Sequence, residues 1–173
     1  WNSFSIGAKD AVNIQQAMGS SSILLNRVNG NELSTIAGQL TANGRVFLIN
    51  LNGVLFSQGA SVNVGGLLAS TLAMTTSDAN FLDGQTRLAF ERADASTATV
   101  RNLGDITATG GPVVLMGAGV GNEATGTITA DGQTVALASG RKITLDIGGD
   151  GLTSLNILTD SKATSASVAN SGT

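Results

Sequence analysis

Two consecutive stretches of the chain repeat each other at a fixed spacing. The segment GDITATGGPVVLMG (104–117) aligns with GTITADGQTVALAS (126–139) at an offset of 22 residues. Each unit is a short strand, a small polar turn and a second short strand, and repeats of this kind indicate a β-solenoid. Because one turn of such a chain cannot bury its own inward face, the turns must stack around a shared aliphatic column. The repeat therefore predicts an all-β stack of short strands.

Shorter echoes and the composition support the same fold. The segments VRNLG (100–104), VGNEATG (120–126) and VANSG (168–172) open alike. The chain has 23 Gly and one Pro among its 173 residues, and only 3% are aromatic. A narrow solenoid interior favours small and branched aliphatic side chains, and sharp corners favour Gly. Charged residues make up 12% of the chain, about half the usual share.

The first half predicts further strands at 46–49, 54–56 and 61–64. Asn–Gly pairs at 29–30, 43–44 and 52–53 precede or separate them, and we expect Asn and Gly to form corners in the left-handed region. Type I′ hairpin turns are the alternative interpretation of the same pairs. Helix signals are weak, and the best helix candidate is 67–74.

Two segments interrupt the repeat, at 75–98 and 146–162. We expect both to leave the stack as hairpins or loops of a single domain that spans 1–173. The first segment is unusually rich in charge and holds Asp78, Asp83, Arg87, Glu91, Arg92 and Asp94. Because the chain opens and closes on strand-like sequence, we expect it to be a piece of a longer protein.

Several functions are disfavoured by residue types. The nine cations are scattered, whereas nucleic-acid binding needs clustered Lys and Arg, so no nucleic-acid partner is expected. His and Cys are absent, which removes the commonest general base and metal ligands. No apolar run is long enough to span a bilayer as a helix. We predict neither enzymatic activity nor a cofactor or metal site.

Two segments and two acidic pairs nevertheless resemble ligand or catalytic sites. VVLMGAGVGNEA (113–124) has part of a dinucleotide-binding turn, although a solenoid corner explains it equally well. GGDGLT (148–153) approaches a calcium-binding repeat in a single copy, with a surface turn as the alternative. The closest acidic pairs, Glu91 with Asp94 and Asp146 with Asp150, are candidates for polysaccharide cleavage, with solvated surface charge as the alternative.

The first 72 residues resemble a known family. WNSFSI (1–6) and ILLNRVNGNELSTIAGQLTANGRVFLINLNGVLFSQGASVNVGGLLAST (23–71) are similar to the two-partner secretion (haemagglutination activity) domain of large exoproteins. They are most similar to the high-molecular-weight adhesin branch. From residue 99 to 147 the likeness is one of general repeat character.

The resemblance implies a fold and a function. The family fold is a right-handed parallel β-helix with extra-helical hairpins and an N-terminal cap. Its function is export: POTRA domains of an outer-membrane transporter recognise the domain, which then templates folding of the remaining exoprotein. The implied product is a secreted or cell-surface adhesin whose full length contacts host or matrix glycan, with this domain monomeric. A carbohydrate-binding or polysaccharide-degrading β-helix is the alternative.

The resemblance also implies a recognition site. The family motif N-P-N-G corresponds to Asn50, Leu51, Asn52 and Gly53, with Leu51 in place of the proline. The matching upstream positions are Asn26, Arg27, Asn29 and Gly30. Leu51 lacks the ring that fixes φ at a turn's second position, so we expect Asn52, Gly53 and packing to hold the turn. The sequence is compatible with two roles for the asparagines: recognition by a transporter, or stabilisation of the turn alone. Family members also have a cap region before the W-x-x-F pattern, and the present sequence starts at that pattern and does not include the cap.

Overall fold

The structure is a computed structural model that describes residues 1–93, 95–148, 154–158 and 167–173. The described residues form 19 strands, a single 3-10 turn (Gly19–Ser21) and one short helix, α1 (Asp78–Leu82). In chain order the strands are β1 (Ala11–Ile14), β2 (Ile23–Val28), β3 (Ser34–Ile36), β4 (Gln39–Ala42), β5 (Arg45–Asn50), β6 (Val54–Phe56), β7 (Ser61–Val64), β8 (Gly66–Ser70), β9 (Ala73–Met74), β10 (Arg87–Glu91), β11 (Thr99–Asn102), β12 (Asp105–Ala108), β13 (Val113–Gly117), β14 (Gly119–Asn122), β15 (Thr127–Ala130), β16 (Val135–Ser139), β17 (Lys142–Asp146), β18 (Ser154–Leu158) and β19 (Ser167–Asn170).

Three parallel sheets form the body of the molecule. Sheet I contains β1, β4, β7, β12 and β15; sheet II contains β2, β5, β8, β13 and β16; sheet III contains β3, β6, β11, β14 and β19. Every neighbouring pair in these sheets is parallel. The chain visits sheets I, II and III in turn and then begins the next layer, which makes the fold a parallel β-helix.

The strand register confirms the stacking that the repeat predicts. Ile106 lies opposite Ile128 in sheet I, and Leu115 lies opposite Leu137 in sheet II. The shorter echoes stack as well, because Val120 of β14 pairs with the first residue of the echo before it and of the echo after it. Equivalent positions of successive repeats therefore occupy equivalent places in successive layers.

The Asn–Gly pairs join strands of different sheets, so the hairpin interpretation of these pairs is wrong. The pair at 43–44 leads from sheet I to sheet II, and the pairs at 29–30 and 52–53 lead from sheet II to sheet III. The expectation of left-handed asparagines is also wrong, because no non-glycine residue among the described ones has a positive φ. Of the three glycines, Gly53 alone is left-handed, with φ of +132°.

A fourth, antiparallel sheet covers one face of the β-helix. Sheet IV has the order β18-β17-β10-β9. In the chain, β9, α1 and β10 come between β8 and β11, and β17 and β18 come between β16 and β19. The helix candidate at 67–74 is wrong, because most of that stretch forms β8 and β9. The boundaries 75–98 and 146–162 stay predictions, and residues 94, 149–153 and 159–162 lie outside the described residues.

The molecule has two cores that meet at sheet II. Along β5, Val46 and Leu48 point into the lumen of the β-helix. Phe47 and Ile49 point outward and pack with residues of sheet IV such as Phe90. Burial on both faces explains why β5 is almost continuously apolar, unlike a strand with one solvated face.

Candidate functional site

The predicted motif forms the corner between β5 and β6. The strand β5 ends at Asn50, and the Gly53 N–H donates to the Asn50 carbonyl oxygen at 3.2 Å. This bond closes a four-residue turn, with Leu51 at its second position. The φ of Gly53, +132°, is one that a side chain disfavours. The turn is thus held without the proline that the family motif carries.

Asn50 is completely buried and bonds to the preceding coil. Its Nδ2 donates to the Glu32 carbonyl oxygen at 2.9 Å and to the Ser34 Oγ at 3.0 Å. Its Oδ1 accepts from the Asn52 N–H at 2.9 Å and from the Asn52 Nδ2 at 3.2 Å. Because 0% of Asn50 is exposed, its side chain shapes the corner from inside and is not presented on the folded surface.

Asn52 makes the second link between the coils. Its Nδ2 donates to the Gly30 carbonyl oxygen at 2.7 Å. Gly30 in turn packs closely on the N-terminal segment, since a Cβ at this position would lie 2.1 Å from the Asn2 carbonyl oxygen. We call this set of contacts the asparagine clamp: Asn50 and Asn52 bonded to Gly30, Glu32 and Ser34. It ties the 50–53 corner to the corner directly beneath it.

The surface at the clamp is apolar. Leu51 is 42% exposed, and Leu33, at the corner of the preceding coil, is 46% exposed. A groove of about 190 Å³ runs beside them and is lined in part by Leu33, Asn52 and Gly53. A partner could touch Leu51, Leu33 and the outer face of Asn52 here, and it would also meet the exposed side chain of Arg101, which lines the same groove.

The upstream residues of the predicted site lie elsewhere. The Arg27 guanidinium pairs with the Asp78 carboxylate at the start of α1. Arg27 and Asn29 line a groove of about 530 Å³ between β2 and α1, with Trp1, Ile23, Leu25, Asp78, Phe81 and Leu82 as the other lining residues. Asn26 is buried, and among the described residues neither polar atom of its carboxamide has a hydrogen-bond partner. Of the predicted residues, only Gly30 joins the 50–53 corner directly.

A ladder of asparagines in sheet III was not predicted. The Asn102 Nδ2 donates to the Asn122 Oδ1, and the Asn122 Nδ2 donates to the Asn170 Oδ1, each at 2.9 Å. These asparagines stand at the third position of the three echoes that begin at residues 100, 120 and 168. The shared V-x-N pattern was therefore a readable signal for the ladder.

The dinucleotide interpretation of 113–124 is wrong. The segment forms β13 and β14, which meet at a corner, and no helix follows to receive a pyrophosphate. The calcium candidate, GGDGLT, lies outside the described residues except for Gly148.

The candidate catalytic carboxylates lie at opposite ends of one strand pair. Glu91 lies 3.2 Å from the Lys142 Nζ, whereas Asp146 lies opposite Arg87 at the other end of the β10–β17 ladder. Their predicted partners, Asp94 and Asp150, lie outside the described residues. In the described ranges, no three acidic side chains come together to hold a metal ion.

Within the part of the chain that the structure describes, no helix has the length and apolar character needed to cross a membrane.

Comparison with known proteins defines the class of protein. The family described as "TPS secretion domain" matches residues 1–173, and the chain therefore belongs to the two-partner secretion domain family. Domains of this family serve export through the outer membrane with the help of a partner transporter. The exoproteins that carry them are secreted or associated with the cell surface. This assignment is favoured over a carbohydrate-active β-helix.

Individual relatives come from Haemophilus influenzae. The crystal structure of the HMW1 secretion domain matches with a TM-score of 0.84 and 31% identity, over 98% of this chain and 43% of that one. Two heme/hemopexin-binding proteins are 51% and 49% identical over 71 residues, which are 41% of this chain and 8% of each relative. The chain thus spans only a small part of the length of these two relatives.

Proposed function

We propose that this chain is the export domain of a larger exoprotein and that the transporter's POTRA domains recognise the 50–53 corner. The asparagine clamp is the observation that carries the proposal. It fixes the corner in one conformation without the family's proline, and it leaves Leu51 and Leu33 as the exposed apolar side chains. Apolar side chains on a rigid turn lose little entropy on binding, which suits recognition.

The proposal gives the motif residues different roles. Asn50 and Gly53 hold the shape of the corner, Asn52 links it to Gly30, and Leu51 contacts the transporter. The upstream residues have no part in this contact. Asn26 lies buried in the first coil, and Arg27 and Asn29 lie in its surface groove. The two possibilities that the sequence leaves open, recognition and turn stabilisation, are thereby assigned to different side chains.

Export assays on two variants test these roles. Leu51→Ala removes an exposed side chain and breaks none of the clamp's hydrogen bonds, so it should lower export without lowering the unfolding midpoint. Asn50→Ala should lower the midpoint and export together. Asn63→Ala is the matched control, because Asn63 is an exposed asparagine on β7. Wild-type export of Leu51→Ala would remove the recognition role from this corner.

We infer in addition that the first two coils form early and template the coils above them. The clamp adds side-chain hydrogen bonds to the backbone pairing of the first two coils, and each bond closes no more than 22 residues of chain. Each completed coil then offers an unpaired strand edge, with free backbone N–H and C=O groups, to the next coil. Pulse-labelling hydrogen exchange during refolding should protect amides of β2 and β5 before those of β13 and β16. Simultaneous protection of all four strands would contradict templating.

We propose that any heme or hemopexin binding by the parent protein is carried out by residues outside the present chain. The chain has no His, Cys or Tyr, so that methionine, with three copies, is the common protein ligand of haem iron that it retains. Titration of the isolated chain with haemin should leave the Soret absorbance of haemin unchanged, and a saturable shift would contradict the inference. We assign glycan contacts likewise to the parent protein, and we expect light scattering to give the mass of a monomer.

A further inference from the structure

The chain contains three Asn–Gly pairs, at 29–30, 43–44 and 52–53. An Asn–Gly pair can deamidate without an enzyme, because glycine places no side chain in the way of its own nitrogen. The glycine nitrogen must reach the Cγ of the asparagine side chain, and the carboxamide must be free to rotate toward it. Hydrogen bonds that hold the carboxamide or the glycine N–H therefore oppose the reaction.

The pair at 43–44 is held by its carboxamide. The Asn43 Oδ1 accepts from the Gln16 N–H at 2.7 Å, and the Asn43 Nδ2 donates to the Gln16 carbonyl oxygen at 2.9 Å. Both ends of the side chain are thus bonded to backbone, although Asn43 itself is exposed. Gly44 is buried, so the attacking nitrogen belongs to a packed residue.

The pair at 52–53 is held at both partners. The Asn52 Nδ2 donates to the Gly30 carbonyl oxygen and to the Asn50 Oδ1 within the asparagine clamp. The Gly53 N–H donates to the Asn50 carbonyl oxygen at 3.2 Å. Rotation of the carboxamide and release of the glycine nitrogen would each break a bond of the corner.

The pair at 29–30 has neither restraint. Asn29 is exposed, and among the described residues its carboxamide has no hydrogen-bond partner, nor has the Gly30 N–H. The backbone N–H of Asn29 donates to the Trp1 carbonyl oxygen at 2.8 Å, which leaves the side chain free. We propose that Asn29 is a site of spontaneous deamidation in the folded chain and that the folded structure protects Asn43 and Asn52.

The reaction needs only water. The Gly30 nitrogen loses its proton and bonds to the Asn29 Cγ. The bond from Cγ to the carboxamide nitrogen then breaks, ammonia is released, and a cyclic succinimide remains. Water then opens the ring to aspartate or isoaspartate, so that one water is consumed for each ammonia released. The product places a carboxylate in the groove that Asn29 shares with Arg27 and Asp78. Isoaspartate also lengthens the main chain directly before Gly30, whose carbonyl oxygen accepts from Asn52.

Peptide mapping of the folded wild-type chain tests the proposal with an internal control. Trypsin cleavage after Arg27 and Arg45 yields one peptide, VNGNELSTIAGQLTANGR, that contains both Asn29 and Asn43. After incubation at mildly alkaline pH, fragmentation of this peptide should show conversion at Asn29 several-fold above that at Asn43. The following peptide reports on Asn52 in the same digest, and Asn29→Gln should abolish the fast conversion.

Incubation in urea separates structure from sequence. Unfolding removes the bonds to Gln16 and within the clamp, so the three pairs should then convert at similar rates. Equal rates in the folded chain, faster conversion at Asn43 or Asn52, or no conversion at Asn29 would each overturn the proposal.

Discussion

Replacement of Asn50 by alanine should destabilise the chain more than almost any other polar substitution. The side chain makes two donor contacts, to the Glu32 carbonyl oxygen and the Ser34 Oγ, and accepts from the Asn52 N–H, at 2.9, 3.0 and 2.9 Å. A hydrogen bond contributes about 1 kcal/mol net, and a buried partner left unpaired costs about 1–3 kcal/mol. Because both Asn50 and Ser34 are 0% exposed, water cannot replace the lost bonds without rearrangement.

The expected loss is therefore about 3–5 kcal/mol in the free energy of unfolding. That is a large part of the roughly 5–15 kcal/mol that stabilises a typical domain. Equilibrium urea unfolding followed by far-UV circular dichroism measures the change, and Asn63→Ala, at an exposed position of β7, should stay within about 0.5 kcal/mol of wild type. A Ser34→Ala and Asn50→Ala double-mutant cycle should show coupling. An Asn50→Ala variant as stable as the Asn63→Ala control would refute the clamp.

Three further substitutions and one control test the structure by the same unfolding assay. Leu51→Pro should stabilise the chain by about 0.4–1 kcal/mol, because Leu51 follows the last residue of an extended strand and is the second residue of the turn, a position that proline favours. A lower midpoint would mean that the turn differs from the one described. Asn122→Ala should cost about 2–4 kcal/mol, because Asn122 is 2% exposed and bonds to both of its neighbours in the asparagine ladder. A cost under about 0.5 kcal/mol would show that the ladder does not stabilise the fold. Phe90→Ala should cost about 3–5 kcal/mol, because Phe90 is 1% exposed between sheets II and IV. The control, Leu82→Ala, changes an 80% exposed position and should be close to neutral. Equal effects of the two substitutions would contradict the packing of sheet IV on the β-helix.

The repeat was sufficient to predict the stacked strands, because stacking places chemically equivalent residues in equivalent positions. If Ile106 faces the lumen, Ile128 must face it too, and the register confirms that the two residues lie opposite each other in sheet I. The sequence could not distinguish corners from hairpins at the Asn–Gly pairs. A corner and a hairpin both need a tight turn. They differ in whether the two flanking strands belong to different sheets or pair within one sheet, which the sequence does not show.

The sequence could propose a candidate site, but it could not give the contacts that hold the site together. The family likeness identified Asn50 to Gly53, yet the partners of Asn50 include a backbone carbonyl oxygen at residue 32, which no residue type encodes. Ser34 was missed for a related reason: a lone serine gives no signal until the register places it beside Asn50. Among the described residues, the buried Asn26 carboxamide has no hydrogen-bond partner. The sequence does not show this, because Asn26 looks there like any other polar residue of the motif.

Export of the chain with and without an outer-membrane transporter of the two-partner secretion type tests the central assignment most directly. The chain, preceded by a signal for export to the periplasm, would be expressed in cells that hold the parent protein's own transporter and in cells that lack it. The amount in the medium would then be compared with the amount in the periplasm. We expect the chain in the medium only when the transporter is present. Equal amounts in the medium with and without the transporter would contradict a role as a secretion domain.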